Sequence, residues 1–363
     1  MRIVFTVTND LNFDQRMIRI CSALAEAGYS CKLIGRNLPQ SLPLAERNFN
    51  QKRLNCIFKK GKLFYLEYNI KLFFYLLFHP ADVFWAVDCD TVSAAFAVAM
   101  LRRKKRVFDA HELFTDVPEV QDRFVVKKIW SVVQAFAFKR AHLALTVGSE
   151  LAKWFENRYG RTVEVVKNVP SLSHQIPYRP DDDKFLLYQG ALNKGRGLEN
   201  LILAMDHIPC RLVLAGDGDL TAELKDLAER GNSAHKIEFL GRVKPEDLPL
   251  LTSKAFLGVN ISENAGLSYW LSLNNKFFDY VMAGLPQLLN PFPEYKLMNA
   301  AFEVGVLTES NSAKIAENAN LLLSNSDLRQ KLHENCMIAA EKWNWEQEKQ
   351  HLIGIFEAAL NRA

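Results

Sequence analysis

Short apolar runs alternate with longer stretches whose apolar residues recur every three or four positions. Arg2–Thr8 carries Ile3-Val4-Phe5 and reads as a buried strand. Gln15–Ala27 places Met17, Ile18, Cys21, Leu24 and Ala25 along one helical face, and Gly28 closes it. Ser30–Gly35 reads as a second strand, and Asp82–Val87 as another, followed by a helix through Val92–Leu101. Arg106–Asp109 is a strand that runs into Ala110-His111-Glu112. Leu143–Val147 is a strand, Ser149–Tyr159 a helix and Val163–Val166 a strand. Strands alternating with helices predict a parallel sheet covered on both faces.

The pattern breaks at Pro170–Asp183. Pro170, Pro177, Pro180, several serines and the run Asp181-Asp182-Asp183 are linker chemistry. It then restarts. Phe185–Gln189, Arg211–Ala215, Ile237–Leu240, Phe256–Val259 and Gln287–Leu289 read as strands. Leu198–Met205, Leu220–Arg230 and Asn275–Met282 read as helices, and Ser326–Ala363 as helical throughout. The expected organisation is an N-terminal domain over 1–175, a C-terminal domain over 176–340, and a terminal helical segment over 341–363 that packs back on the first domain. Two doubly wound α/β units in series are expected to face a central cleft, with ligands at the carboxyl ends of the strands.

Composition adds little until it is divided. The 363 residues are 49% hydrophobic and 24% charged, an ordinary globular balance. Met1 leads straight into a strand, and no apolar leader with a cleavage site is visible, so a cytoplasmic location is expected. Six scattered cysteines show no metal-ligand spacing, so reduced thiols are expected. Net charge is +4, yet residues 1–180 hold 27 Lys and Arg against 16 Asp and Glu, while the remainder is acidic. In the basic half, Phe58–Phe78 mixes Lys59, Lys60, Lys62 and Lys71 with Phe64, Tyr65, Tyr68, Phe73, Phe74 and Phe78. Arg102–Arg106 is a second basic run, and Lys127–Arg140 pairs Lys127, Lys128, Lys139 and Arg140 with Trp130, Phe136 and Phe138. Two readings remain open: an anionic membrane surface as partner, on the inner face, or core helices with basic ends. Leu72–Phe78 is too short to span a bilayer, and no nucleic-acid-binding module is present.

Candidate chemistry concentrates at two places in the second half. Gly190-Ala191-Leu192-Asn193-Lys194-Gly195-Arg196-Gly197 joins a strand to a helix. Its glycines let backbone approach a ligand, and Lys194 and Arg196 add positive charge, which suits a diphosphate. A plain strand-to-helix turn has the same form. The Gly-x4-Gly-Lys-Ser/Thr order of a phosphate loop is missing. So is a dinucleotide fingerprint, since Asn9-Asp10-Leu11-Asn12 follows the first strand. In the second place, Lys276 and Asp279 stand three apart and share a helix face. The carboxylate suits ribose hydroxyls and the lysine a phosphate; a surface ion pair is the alternative.

Taken in order, four segments resemble the C-terminal half of retaining GT-B glycosyltransferases of the family-4-like group. They are Gly190 to Gly197, Ala215-Gly216-Asp217-Gly218, Phe239-Leu240-Gly241-Arg242-Val243 and Asn275 to Pro286. Asp109-Ala110-His111-Glu112 and Asp14-Gln15-Arg16 are similar to the group's N-terminal motifs. The resemblance implies two Rossmann-like domains. It also implies a sugar moved from a UDP- or GDP-sugar donor to a glycan or lipid-linked acceptor, with retention and with no metal or other cofactor required. It implies donor contacts from Gly190, Lys194, Arg196, Gly218, Asn275, Lys276 and Asp279. His111 is placed at the reacting centre, with Glu112 beside it and Arg196 on the leaving phosphate. Leu271 stands where many members carry a first glutamate, and Asp279 replaces the second. Asp88-Cys89-Asp90 has the letters of a metal triplet, but carboxylates at strand ends are commonly capping groups. A nucleotide-sugar epimerase on the same fold and a non-catalytic sugar-nucleotide-binding partner are the alternatives.

Overall fold

Arg2–Thr6 (β1) and Val83–Val87 (β4) are apolar along their length because both faces of their sheet are covered; the side chains from Ile3 and Val83 onward are buried. The computed structural model describes residues 1–116, 120, 123–172, 175–180 and 182–360. Ser173, His174 and Asp181 of the linker segment, and 361–363 of the final stretch, lie outside the described residues. The chain divides into two units, Met1–Asn168 with Glu348–Ala363, and Val169–Gln347.

In the first unit, β1 and β4 are joined by Ser30–Asn37 (β2), Asn50–Asn55 (β3), Lys105–Ala110 (β5), Leu143–Thr146 (β6) and Glu164–Val165 (β7). All pairings are parallel, in the order β3-β2-β1-β4-β5-β6-β7. Strand order reverses between β1 and β4, so the segments after β1, β4 and β5 open beside one another. Helix Gln15–Glu26 starts at Asp14, whose carboxylate accepts from the Met17 amide at 3.1 Å. Its apolar face buries Met17, Ile18, Ile20, Cys21 and Leu24.

In the second unit, Phe185–Gln189 (β8), Arg211–Ala215 (β9), Ile237–Gly241 (β10), Leu257–Asn260 (β11), Gln287–Leu289 (β12) and Gly305–Leu307 (β13) form a parallel sheet. The order is β10-β9-β8-β11-β12-β13, with its reversal between β8 and β11. Helix Asn275–Met282 packs Phe277, Phe278, Tyr280, Val281 and Met282 inward. Tyr280 crosses β11 so closely that a Cβ on Gly258 would meet its ring at 2.6 Å.

The final stretch is not one helix. Ser326–Lys342 and Trp345–Leu360 are separate, and the second lies mostly in the first unit. The break falls at Trp343, whose indole packs among Phe277, Phe278 and Phe302. Asn344 then accepts from the Gln347 amide at 3.0 Å and starts the next helix. That helix lays Phe356 against Trp85 and Tyr29.

Candidate functional site

The second unit gathers its chemistry at the carboxyl ends of β8 and β9. The loops that follow are packed backbone against backbone. The Gly190 amide donates to the Ala215 carbonyl at 3.0 Å, and the Leu220 amide to Leu192 at 2.9 Å. A Cβ on Gly216 would lie 1.8 Å from the Gly190 oxygen, and one on Gly218 2.3 Å from Asn193 Oδ1. Gly216 is therefore required by packing against the Gly190 backbone, and Gly218 by packing against Leu192 and Asn193. Gly190 itself has φ +134°, a conformation that side chains disfavour.

Beside Gly190 stands Lys276. It is 7% exposed, and its Nζ has no hydrogen-bond partner. The ammonium lies 3.6 Å from the centroid of the Tyr188 ring, and a Cβ on Gly190 would come equally close to it. Burial holds its pKa well below the usual ammonium range; Arg196 pushes the same way and Asp279 opposes. The surface ion-pair reading of Lys276 and Asp279 therefore does not describe this lysine. The lysine is thus held out of water with no hydrogen-bond acceptor, beside the open backbone of Gly190.

Asp279, half-buried, lies one turn further along and accepts from Gln189 Nε2 at 2.9 Å. Gln189 Oε1 accepts in turn from the Thr252 hydroxyl at 2.8 Å. This amide ties the carboxylate to the end of β8, and Tyr280 donates to the Leu187 carbonyl at 2.9 Å beside it. Gln189 was not singled out from sequence. The available signal was a polar residue ending an otherwise apolar strand immediately before a glycine.

The helix that carries Lys276 and Asp279 is held at both ends. Asn274 accepts from the Phe277 amide at 3.3 Å. At the other end Gly284 (φ +69°) donates to Val281, and Leu285 donates to Tyr280, the paired bonds of a Schellman turn. Arg196, half-buried, lies 4.8 Å over the Tyr269 ring. Lys194 and Asn275 are exposed. Glu263 donates its amide to the Gly195 carbonyl at 2.9 Å, so it belongs to the same loop assembly.

The first unit has a separate cluster at its own strand reversal. Asp109, at the end of β5, is fully buried and accepts from Arg16 Nη2 at 2.9 Å and Nε at 3.3 Å. Arg16 also donates to the Val166 carbonyl at 2.6 Å. Burial pushes Asp109 up, but Arg16 and His111 outweigh it and hold the carboxyl well below its usual range. His111 Nε2 lies 3.0 Å from Arg16 Nε and 3.3 Å from Asp109 Oδ2. A neutral ring accepts from the arginine; a protonated ring donates to the carboxylate. Burial opposes the charged ring, yet Asp109 and then Asp88 raise its pKa to about 9. Proximity to two carboxylates makes the protonated form the one that prevails near neutrality. Glu112 is exposed.

Asp88 and Asp90 occupy the first turn of helix Asp88–Leu101, but its N-cap is Val87 with no side-chain capping bond, and the two carboxylates are tied to His111 and Thr8 instead. Asp88 accepts from the His111 amide at 2.9 Å, and Asp90 from the Thr8 hydroxyl at 2.5 Å. Asp88 holds φ +52°, unusual for a non-glycine residue and a form of backbone strain that collects at functional sites. Burial raises Asp88 to about 7 and Asp90 to about 6. Among the described residues, no group of three or more His, Cys, Asp or Glu is gathered as a metal site.

The His111 shift carries a testable sign. A folded pKa near 9, against an ordinary value of 6.5, means that the imidazolium stabilises fully below pH 6.5. That contribution disappears as pH rises through 9. Melting curves from pH 6 to 10 are expected to show wild type losing up to about 3 kcal/mol relative to His111→Asn. A constant difference between the two proteins would mean that the ring is not held charged.

Residues 172–337 match the family model described as "Glycosyl transferases group 1". The uncharacterized glycosyltransferase MJ1607 of Methanocaldococcus jannaschii is 39% identical over 79 residues, 21% of this chain and 20% of that protein. MJ1178 of the same organism, also an uncharacterized glycosyltransferase, is 25% identical over 197 residues, 53% and 52% of the two. The chain thus spans about a fifth and about half of the length of these curated relatives. Among solved structures, sucrose-phosphate synthase from Thermosynechococcus elongatus superposes with a TM-score of 0.82 at 17% identity, covering 100% of both chains. Anabaena Alr3699/HepE in complex with UDP gives 0.76 at 15% identity, covering 99% and 100%. A UDP-N-acetylglucosamine 2-epimerase, described as putative, from Listeria monocytogenes gives 0.69 at 13% identity, covering 100% and 97%. The fold is GT-B, two parallel-sheet Rossmann-like α/β domains, and the stretch that matches the glycosyl transferases group 1 model falls within the second unit.

Proposed function

We propose that this chain is a glycosyltransferase that moves a sugar from a nucleotide-diphospho-sugar, with a uridine nucleotide as first candidate, to a glycan or lipid-linked acceptor. The observation that carries the reading is the buried ammonium of Lys276, unpaired beside the Gly190 backbone. A diphosphate seated there supplies the missing anion. Arg196 and the Gly190–Gly197 loop add charge and backbone, and Asp279, oriented by Gln189, accepts from the ribose hydroxyls. The match to the glycosyl transferases group 1 model and the UDP complex of HepE support this choice of ligand.

The chemistry follows from where charge develops. Breaking the sugar–phosphate bond leaves a nucleoside diphosphate with added negative charge, and fixed cations aimed at it lower the barrier. Lys276 and Arg196 are assigned that role, with no metal required, and retention at the anomeric carbon is the expected outcome. His111, held by Asp109 and Asp88, is assigned to the reacting centre, with Glu112 in the adjoining loop.

Thermal shift against UDP, GDP, ADP, CMP and dTDP tests the reading. A ligand at 100 times its Kd adds about 2.7 kcal/mol of stability. One nucleotide is expected to shift the wild type and to fail with Asp279→Ala and Arg196→Ala. No shift with any nucleotide would overturn the donor site. Interconversion of a UDP-sugar without acceptor would establish the epimerase instead, a reaction hosted by the same fold in the Listeria neighbour's description.

A further inference from the structure

Helix Gly61–Phe78 is apolar on two faces, and among the described residues only one of them is packed inward. Phe64, Tyr68, Leu72 and Leu76, spaced by four, are buried in the first unit. Leu63, Leu66, Ile70, Phe74 and Phe78 form a second stripe on the opposite side. A neighbouring helix, Phe124–Arg140, repeats the arrangement: Phe124, Val125, Ile129 and Val132 project from one face while Ala137 and Phe138 go inward. Exposure of these nine side chains runs from 49% at Ile70 to 78% at Phe78 and Phe124. The two helices adjoin, since the Tyr65 and Trp130 rings meet edge-on at 5.8 Å and Lys62 shares a cavity with Arg123–Val126. Ile57 and Phe58, also exposed, continue the surface before the first helix. Scattered apolar residues on a surface need no explanation, but a patch spread over two adjacent helices does.

Within the two helices the charge is predominantly basic, and Lys127 is paired with Asp116 at 3.0 Å. Lys59, Lys60, Lys62, Lys71, Arg123 and Lys128 are exposed in or beside these helices. Glu67 is the single acidic residue within the two helices, and it pairs with Lys71 at 2.6 Å. A second copy of the chain would bring these cations against their own symmetry mates, which disfavours self-association. No helix among the described residues is long and apolar enough to cross a membrane. A bilayer with anionic headgroups satisfies both features, since apolar side chains enter the headgroup–acyl boundary while lysines and arginines meet phosphate.

We propose that the exposed face of helices Gly61–Phe78 and Phe124–Arg140 is a monotopic docking surface for an anionic lipid bilayer. The surface is argued independently of the donor site and goes beyond the proposed transfer reaction. It would bring the first unit to a lipid-linked acceptor.

The test is co-sedimentation of the full chain with extruded phosphatidylglycerol or phosphatidylcholine vesicles at 0.1 M salt. Wild type is expected to sediment with phosphatidylglycerol and at least tenfold less with phosphatidylcholine. Phe74→Asp with Ile129→Asp is expected to lose at least tenfold in binding with an unchanged melting curve, because both side chains lie outside the core. Lys62→Glu with Lys128→Glu is expected to lose binding to the anionic vesicles and become salt-insensitive. Asp279→Ala is expected to sediment as wild type, which separates this surface from the donor site. No sedimentation with phosphatidylglycerol, or equal binding by the Phe74→Asp, Ile129→Asp variant, would overturn the proposal. So would a wild-type dimer in light scattering that the same variant dissociates, since the occupant is then a second copy.

Discussion

Replacing Lys276 with methionine is expected to raise the melting temperature of the ligand-free protein and to remove its stabilisation by UDP. The two effects have one cause. An unpaired ammonium out of water costs several kcal/mol. The Tyr188 ring, 3.6 Å away, returns about 0.5–2 kcal/mol of that. Methionine has nearly the same length and no charge to desolvate, so below the depressed pKa of Lys276 the apo protein is expected to gain about 1–3 kcal/mol. For a unit of this size that is roughly 2–4 °C per kcal/mol. The ligand-bound protein loses a charge-assisted bond, which at about 1.5–3 kcal/mol is a tenfold to hundredfold loss of affinity. At a concentration 100 times the wild-type Kd, the UDP shift falls from about 2.7 kcal/mol to as little as about 0.4. A variant that melts lower than wild type without ligand would show that the ammonium is compensated in the native state.

The same lysine links donor binding to protons. Its pKa is depressed in the ligand-free state, by burial first and Arg196 second. A bound diphosphate raises it, so between the free and bound pKa values the complex holds more protons than the free protein and affinity falls as pH rises. Titration calorimetry in buffers of different ionisation enthalpy reads that uptake directly, and Lys276→Met is its control.

What sequence could and could not show divides along physical lines. β1, β4, β8 and β9 were legible because both their faces are buried and their residues form unbroken apolar runs. Asn50–Asn55 was not, since an edge strand written Asn-Gln-Lys-Arg-Leu-Asn has no apolar period. The break at Trp343 was hidden because helical periodicity continues through it; the tertiary pocket of Phe277, Phe278 and Phe302 decides the matter. Lys276 and Asp279 could be placed on one helix, but nothing local distinguishes a surface ion pair from a buried ammonium beside Gly190. That difference lies in what Tyr188 and the loops after β8 and β9 do in three dimensions. Gln189 was missed for the same reason, since its partners Thr252 and Asp279 are 63 and 90 residues away.

The other large effect is expected in the first unit. Asp109→Asn removes the charge between Arg16 and His111 while keeping its shape. Arg16 is 4% exposed and Asp109 fully buried, so the guanidinium is left with little water to compensate it. The amide NH2 of asparagine also faces donors on one side. Breaking such a pair typically costs about 3–5 kcal/mol, and urea unfolding is expected to show a loss of that size. The double variant Arg16→Met with Asp109→Leu separates structure from chemistry. Replacing both charges with apolar groups of similar volume is often neutral, so it is expected to recover most of the stability. It does not restore His111, which has lost the carboxylate that raises it most and is expected to titrate near or below 6.5 by NMR. If sugar transfer returns with stability in the double variant, the Arg16–Asp109 pair only supports the fold. If stability returns and transfer does not, the pair exists to hold a charged imidazole at the end of β5.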